Sequence, residues 1–273
     1  MLKKYFSDLF LHTWIVTETR SKSAIANNPS QSIDARIITI LVYTSICIAV
    51  TKYFGHTTDF LDHIVVNPTK FDMWYCSFFF GSDTGKFHSM LFWIFMIVVF
   101  YLVIPVLIVK LVFKENLRDY GIRVKNIQKD YPLYVLMLLI MLPIVYFAST
   151  SHSFQDRYPL FQPAKGNLFP LFLWWQLAYF LQFIAIEFFF RGFILHGLKY
   201  RFGLYSIFIM TIPYCLVHIG KPFAETMAAV VAGIILGTLS LKSRSIILGV
   251  MIHYSIAIAM DSFALWREGY FMF

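Results

Sequence analysis

The chain has 273 residues, of which 59% are hydrophobic and only 14% are Asp, Glu, Lys or Arg. Soluble domains carry about 25% charged residues, so this composition, with a mean hydropathy of +0.67, excludes an ordinary water-soluble protein. It also excludes an intrinsically disordered chain, which needs few apolar residues and many charges. The net charge of +8 is typical either of a nucleic-acid-binding protein or of a membrane protein with basic cytoplasmic loops.

The segment 1–36 comes before the first long apolar run. Aromatic and aliphatic side chains follow Lys3 and Lys4, but polar residues interrupt them. The segment therefore lacks the continuous apolar core of a secretory signal. We predict an amphipathic helix that lies in the membrane interface on the cytoplasmic side.

Seven apolar runs then follow along the chain. Crossing the hydrocarbon core takes about 20 mostly apolar residues, and a spanning segment must be helical because lipid cannot satisfy its backbone. We therefore predict an all-α fold, a polytopic membrane bundle of about seven transmembrane helices. An eighth helix stays open within the aromatic-rich stretch Phe71–Phe80. The seven runs are 37–54, 90–109, 132–149, 168–190, 203–218, 226–241 and 246–265.

Basic residues are distributed unevenly between the two sides of such a bundle. With a cytoplasmic N-terminus, fifteen of the 23 Lys and Arg residues fall in inner segments and seven in outer ones. Cytoplasmic loops carry the excess in membrane proteins, so we predict a multi-pass membrane protein with its N-terminus inside. We expect its location to be an inner or plasma membrane, in the first place the bacterial inner (cell) membrane. Topology then explains most of the surplus charge, and we expect membrane lipid and no nucleic acid among its partners. Within the chain, residues 37–131 would form two helices with an outer loop and a cytoplasmic connector, and 132–273 the remaining core.

Ionisable side chains inside the predicted spans are the candidate functional residues, because each costs about 2.5–3.5 kcal/mol on insertion scales. Glu187 and Arg191 lie four residues apart, and therefore on one face of their helix. The pair is either a neutralising ion pair that allows insertion, or a carboxylate base beside an orienting arginine.

Two histidines on later runs, His218 and His253, could converge with Glu187 in the bundle interior. Together they could bind a metal, or polarise a carbonyl group and stabilise its oxyanion. Zinc sites have a recognisable ligand spacing, which is missing from the sequence, so we expect acid–base chemistry without a metal or another cofactor. Glu225, at the start of the sixth run, and Asp261, eight residues after His253, are supporting candidates.

Three short motifs resemble those of the CAAX-protease and bacteriocin-processing (CPBP) family of intramembrane glutamic endopeptidases. The family patterns are EExxxR, FxxxH and HxxxN on successive membrane helices, and the resemblance covers about residues 168–266. In this chain they stand as Glu187-Phe-Phe-Phe-Arg191-Gly192, Tyr214-x-x-x-His218 and His253-x-x-x-Ala257.

The resemblance implies hydrolysis of a peptide bond in a membrane-associated peptide or protein, with a glutamate activating water and histidines supporting the oxyanion. Two positions depart from the pattern by losing a polar side chain, because Ile186 replaces the first glutamate and Ala257 replaces the asparagine. Tyr214 in place of the phenylalanine is a mild change. Either Glu187 takes over the reaction, helped by His218 and Glu225, or hydrolysis is lost. In the second case the chain would be a non-catalytic relative that binds a peptide or partner, as in bacteriocin immunity. A transporter is a third hypothesis, which the lack of an internal repeat disfavours.

Overall fold

The computed structural model describes residues 8–27, 34–56, 78, 83–124, 127–162 and 169–270. The described part of the chain is helical and contains no β-strand. Six of its helices are long and apolar enough to cross a membrane, and a seventh apolar helix, Tyr205–Leu216, is shorter. The prediction of an all-α polytopic bundle is thereby confirmed. The stretch Phe71–Phe80, proposed as an eighth helix, lies outside the described residues apart from Phe78.

We number the longer helices α1 to α8 in chain order. Single turns occupy Asp8–His12 before α1, Leu117–Tyr120 and Ile127–Lys129 before α4, and His152–Gln155 after it. Within α5 the backbone is π-helical over Phe188–His196. The helices are α1 Thr13–Ala26, α2 Ala35–Phe54, α3 Gly85–Val112, α4 Tyr131–Ala148, α5 Leu171–Phe202, α6 Tyr205–Leu216, α7 Phe223–Ser243 and α8 Ile247–Arg267.

Helix α5 lies at the centre of the bundle. Within the most apolar 18-residue stretch of α5, 67% of the residues are buried, whereas the value is 44% or less in the other described spans. It packs against α3, α6 and α8, while α8 also packs against α4 and α6 against α7. Polar side chains on α5 are therefore removed from lipid and water and face other helices.

Helix α5 is longer than its apolar run predicts. The run 168–190 stops before Arg191, but the helix continues to Phe202. Arg191 does not end the helix because its Nη1 lies 3.0 Å from Oε1 of Glu187, so the charge is compensated within the protein. A prediction from apolarity counts the charge of Arg191 but does not take its partner Glu187 into account. The predicted end of α5 was wrong for this reason.

The N-terminal helix α1 is attached to the membrane core. Trp14 donates its indole N–H to Oγ1 of Thr238 on α7 at 3.1 Å. Ser21 donates its hydroxyl to the backbone carbonyl of Tyr200 at 3.2 Å. These contacts hold α1 against the C-terminal ends of α5 and α7, and its predicted place in the membrane interface stays a prediction.

Candidate functional site

A glutamate and a histidine from two different helices meet in the interior of the bundle. Glu187 is the last residue of the α-helical part of α5, and His253 lies two turns into α8. Oε1 of Glu187 is 3.0 Å from Nδ1 of His253. The glutamate side chain is 1% exposed and the histidine 18%, so the imidazole connects a buried carboxylate with a more accessible region.

Arg191 completes the charge balance around the same carboxylate. Its Nη1 lies 3.0 Å from Oε1 of Glu187, although the N–H groups are not aligned for hydrogen bonds with any described residue. The guanidinium carbon lies 4.0 Å from the centroid of the Tyr214 ring on α6. An arginine over an aromatic face gains cation–π attraction, which is strongest when the cation is desolvated. Arg191 is therefore held by one carboxylate and one aromatic ring.

The second oxygen of Glu187 has no hydrogen-bond partner among the described residues, although it is buried. It faces the backbone of α8 at Gly249, where a methyl group would lie 2.6 Å from Oε2. Because such a separation is too short for van der Waals contact, a side chain at position 249 would displace the carboxylate. Glycine at this position keeps one carboxylate oxygen free to accept a proton or a hydrogen bond.

Tyr214 lies between the other groups of the site. Besides Arg191, its ring contacts His218 edge-on, with centroids 4.7 Å apart, and lies 6.2 Å from the ring of His253. Nδ1 of His218 is 2.7 Å from the Tyr214 carbonyl oxygen. Thr226 donates its hydroxyl to the His218 carbonyl at 2.8 Å, which fixes the turn after α6. His218 is thus adjacent to the Glu187–His253 pair through Tyr214 and not through a bond of its own.

The hydrogen bonds assign the protons on both histidines. A carbonyl or carboxylate oxygen can only accept, so Nδ1 of His218 and Nδ1 of His253 carry hydrogen. Each neutral ring therefore presents the lone pair of Nε2, and Nε2 becomes a donor only when the ring is protonated. A proton added to Nε2 of His253 would place a positive ring next to the Glu187 carboxylate.

The surroundings of the site are apolar and aromatic. Phe188, Phe189 and Phe190 are fully buried, and the Phe183 ring lies 4.6 Å from the ring of His253. Water has little access to the carboxylate from this side. In such surroundings each charge–charge contact is stronger than it would be in solvent.

The supporting candidate Glu225 does not join this carboxylate. It lies in the first turn of α7 and pairs with Lys221 at 2.6 Å. The Tyr158 hydroxyl donates to both of its oxygens, at 3.0 and 2.9 Å. Burial, together with the Glu225 carboxylate, raises the pKa of Tyr158, so this hydroxyl stays protonated and remains a donor. Glu225 thus connects the start of α7 with the loop between α4 and α5.

The other supporting candidate, Asp261, has a separate set of partners. It is fully buried and accepts hydrogen bonds from the Leu160 backbone N–H at 3.1 Å and the Trp175 indole N–H at 3.2 Å. The Gln176 amide donates to it at 3.4 Å. These contacts tie α8 to the start of α5 and the loop before it, which is a structural arrangement.

The two positions that depart from the motif carry no polar group. Ile186 packs among partly buried hydrophobic residues against the core, one position from Glu187. Ala257, one turn after His253, is 6% exposed and packs in the cluster that includes Trp175 and Tyr179. Glu187 therefore faces α8 without a neighbouring carboxylate.

The described residues contain no group of three or more His, Cys, Asp or Glu that could hold a metal ion. The pair Glu187 and His253 falls one ligand short of the three protein ligands of a catalytic zinc site. The groups that the structure brings together are a carboxylate, an imidazole and a guanidinium. This set is suited to proton transfer and to stabilisation of negative charge.

Two residues of the site were missed by sequence reasoning. The motif comparison identifies Tyr214 only as a mild replacement for phenylalanine, and no motif includes Gly249. A signal exists for both: Tyr214 lies four residues before His218 and Gly249 four before His253, so each shares a helix face with a candidate residue. Because many residue pairs have this spacing, it does not identify Tyr214 or Gly249 unless the position of the neighbouring helix is known.

Comparison with known proteins matches one family model. Residues 168–259 match the model described as Type II CAAX prenyl endopeptidase Rce1-like. This range contains Glu187, Arg191, Tyr214, His218 and His253. Neither a curated protein nor a solved structure matches the chain.

Proposed function

Residues 168–259 belong to the CPBP/CAAX protease family, a family of membrane endopeptidases, and from this premise we propose a specific activity and mechanism. The chain is an intramembrane, metal-independent glutamic endopeptidase. It hydrolyses a peptide bond in a membrane-associated peptide or protein. Glu187 is the general base, and His253 and His218 stabilise the oxyanion, while Arg191 orients the glutamate.

One observation carries this proposal. Oε1 of Glu187 is held by His253 and Arg191, both at 3.0 Å, while Oε2 is buried without a partner among the described residues. A carboxylate with one fixed oxygen and one free oxygen is oriented to take a proton in a defined direction. A plain neutralising ion pair needs Arg191 and has no need of His253.

The reaction follows from these positions. A water molecule at Oε2 gives its proton to Glu187, and the resulting hydroxide oxygen adds to the scissile carbonyl carbon. The carbonyl oxygen becomes an oxyanion, which His253 stabilises by donating from Nε2 once that nitrogen has taken a proton from solvent. His218, whose Nε2 needs a proton in the same way, supports the oxyanion from the end of α6. When the tetrahedral intermediate collapses, the C–N bond breaks and the proton on Glu187 passes to the leaving amine.

The position of Glu187 also defines which substrates it can reach. The carboxylate lies on α5, the most buried of the described membrane helices, among fully buried phenylalanines. A folded soluble protein cannot enter such a place, whereas an extended segment anchored in the membrane can. The substrate class is therefore a peptide or protein with a membrane-inserted or lipid-modified end.

The test is cleavage by purified protein reconstituted in phosphatidylcholine proteoliposomes. The probe is a fluorogenic peptide with a prenylated CAAX end, beside the same peptide with a hydrophobic transmembrane anchor. Glu187→Gln should abolish cleavage, and the matched control Glu268→Gln should retain it, because Glu268 lies beyond the end of α8. Turnover by Glu187→Gln at the wild-type rate would contradict the mechanism.

A second experiment tests whether cleavage depends on a metal ion. A chelator such as 1,10-phenanthroline should leave the rate of cleavage unchanged. Loss of cleavage with the chelator, restored by zinc, would refute metal independence while leaving the endopeptidase activity in place. Absence of cleavage of both probes by the wild-type protein would instead favour the non-catalytic, peptide-binding alternative.

A further inference from the structure

A second polar site lies at the other end of α5. A cavity of about 260 Å³ opens between the C-terminal ends of α5 and α7, helix α1 and the connector before α4. His196, at its base, is nine residues beyond Glu187, roughly 14 Å along the helix. The cavity is therefore separate from the site around Glu187. Its charged lining consists of Arg20, Arg118, Arg123, Lys199, Arg244 and Asp119.

Positive charge in this cavity is only partly compensated. Asp119 pairs with Arg123 at 3.2 Å, and Arg123 also donates to the Arg118 carbonyl at 2.9 Å. Among the residues that the structure describes, no carboxylate pairs with the guanidinium groups of Arg20, Arg118 or Arg244. Several cations that converge without partners on one concave space favour binding of an anion.

The base of the cavity is organised by a buried histidine. His196 is 2% exposed, and its Nδ1 lies 2.8 Å from Nζ of Lys199. An ammonium group can only donate, so Nδ1 accepts, the ring is neutral, and Nε2–H donates to Oγ of Ser240 at 3.0 Å. Lys199 also donates to the Asp119 carbonyl at 3.1 Å. Two of its three donors are thus fixed by the protein, and the ammonium also lies 4.9 Å from the centroid of the Tyr200 ring.

Arg244 adds an independent observation. It follows α7 with φ of 53° and ψ of 32°, in the left-handed region. This position after a helix is usually occupied by glycine, because other side chains are strained there. A strained residue that faces a cavity suggests that its side chain is needed in the cavity.

We propose that this cavity binds the phosphate group of a phosphomonoester. Arginine presents paired N–H donors that match phosphate oxygens, and several arginines can together satisfy a dianion with three terminal oxygens. The cavity is at the end of the bundle that the positive-inside rule places towards the cytoplasm. There the phosphate can come from a lipid headgroup or from a free phosphate compound. This proposal is independent of the reaction at Glu187.

The experiment measures thermal stability and binding of the full chain in phosphatidylcholine nanodiscs. Inorganic phosphate is one probe, and phosphatidic acid incorporated in the nanodisc is the other. Stabilisation by added phosphate supports a site open to free phosphate, and stabilisation by phosphatidic acid alone supports a headgroup site. A lack of stabilisation by both probes overturns the proposal.

Variants separate binding from folding. Arg118→Gln and Arg244→Asn should each weaken binding of the effective probe by roughly three- to tenfold, since one charge-assisted contact is lost. Asparagine tolerates the left-handed region, so Arg244→Asn should keep the unliganded melting temperature. The matched control Arg201→Gln removes an exposed charge from the same end of α5 and should leave binding unchanged. If Arg118→Gln, Arg244→Asn and Arg201→Gln all bind the effective probe with the same affinity, the proposal is overturned. Glu187→Gln should bind the probe like the wild type, because Glu187 lies outside this cavity.

Discussion

Glu187 on α5 and His253 on α8 are joined by a hydrogen bond of 3.0 Å between Oε1 and Nδ1. The two residues are 66 positions apart in the chain, so the contact is made by the packing of α5 against α8. Arg191 shares the same oxygen. Oε2, the other oxygen of this carboxylate, has no hydrogen-bond partner among the described residues. Single substitutions of the residues around the carboxylate can therefore test the role of each contact.

Removal of Arg191 should destabilise the fold. Arg191→Met leaves a buried carboxylate with the neutral His253 ring as its only hydrogen-bond partner among the described residues, and breaking a buried pair on one side costs about 3–5 kcal/mol. The double variant Glu187→Gln/Arg191→Met removes both charges and should recover much of that loss. The measurement is the free energy of unfolding in mixed micelles for the two single variants and the double variant. Additive losses would show that the two charges do not interact.

Substitution of Gly249 should affect catalysis more than folding. In Gly249→Ala the new methyl group lies 2.6 Å from the present position of Oε2, so the carboxylate must move. A displacement of this size at the reacting group should lower kcat by roughly ten- to a hundredfold. The matched control is Gly237→Ala, whose methyl group meets the end of the flexible Met210 side chain at 3.1 Å. Equal kcat values for both variants would contradict a role for the space at Gly249.

Tyr214 should be replaceable by phenylalanine but not by leucine. The Arg191 guanidinium lies over the ring, with 4.0 Å between Cζ and the centroid. Tyr214→Phe keeps the cation–π contact, whereas Tyr214→Leu loses it at a cost of about 2 kcal/mol for a desolvated pair. The unfolding free energy of the two variants distinguishes the cases. If Tyr214→Phe is the more damaging change, the hydroxyl and not the ring supports the site.

Asp261 should prove to be a stabilising residue. In Asp261→Asn an amide can still accept from the Leu160 N–H, but its NH₂ group then faces the indole N–H of Trp175 or the amide of Gln176. Opposed donors in a buried place should cost about 1–3 kcal/mol. The melting temperature of the reconstituted protein measures this effect, with the exposed Asp156→Asn as control. An unchanged melting temperature for Asp261→Asn would contradict the assigned bonds.

The helices were accessible from the sequence because lipid imposes a strong local rule. A spanning segment needs a minimum length of apolar residues and must satisfy its own backbone, so runs of apolar residues mark the helices directly. The rule failed for the end of α5, where Arg191, His196 and Lys199 suggest a boundary. Each of them has a partner within the protein, and a partner on another helix leaves no trace in local composition.

The candidate site could be predicted from the sequence only in part. Glu187 and Arg191 could be paired from their spacing, because residues four apart share a helix face. His253 was a candidate on account of its cost in lipid, but its bond to Glu187 depends on the rotation of α8 about its own axis. The same rotation turns Asp261 towards Trp175 and away from Glu187. The spacing of residues within one helix does not reveal how that helix is rotated against its neighbours.

By itself, the sequence determined that the chain is embedded in a membrane, about how many helices its described residues form, and which few charged residues lie in their interior. These properties depend on transfer free energies and on the helical repeat, which are local. Only the tertiary structure decided that Glu187 meets His253, that Gly249 leaves Oε2 free, and that Glu225 and Asp261 stabilise other contacts. Those pairings depend on how α5, α6 and α8 pack, because packing sets which helix faces are opposed.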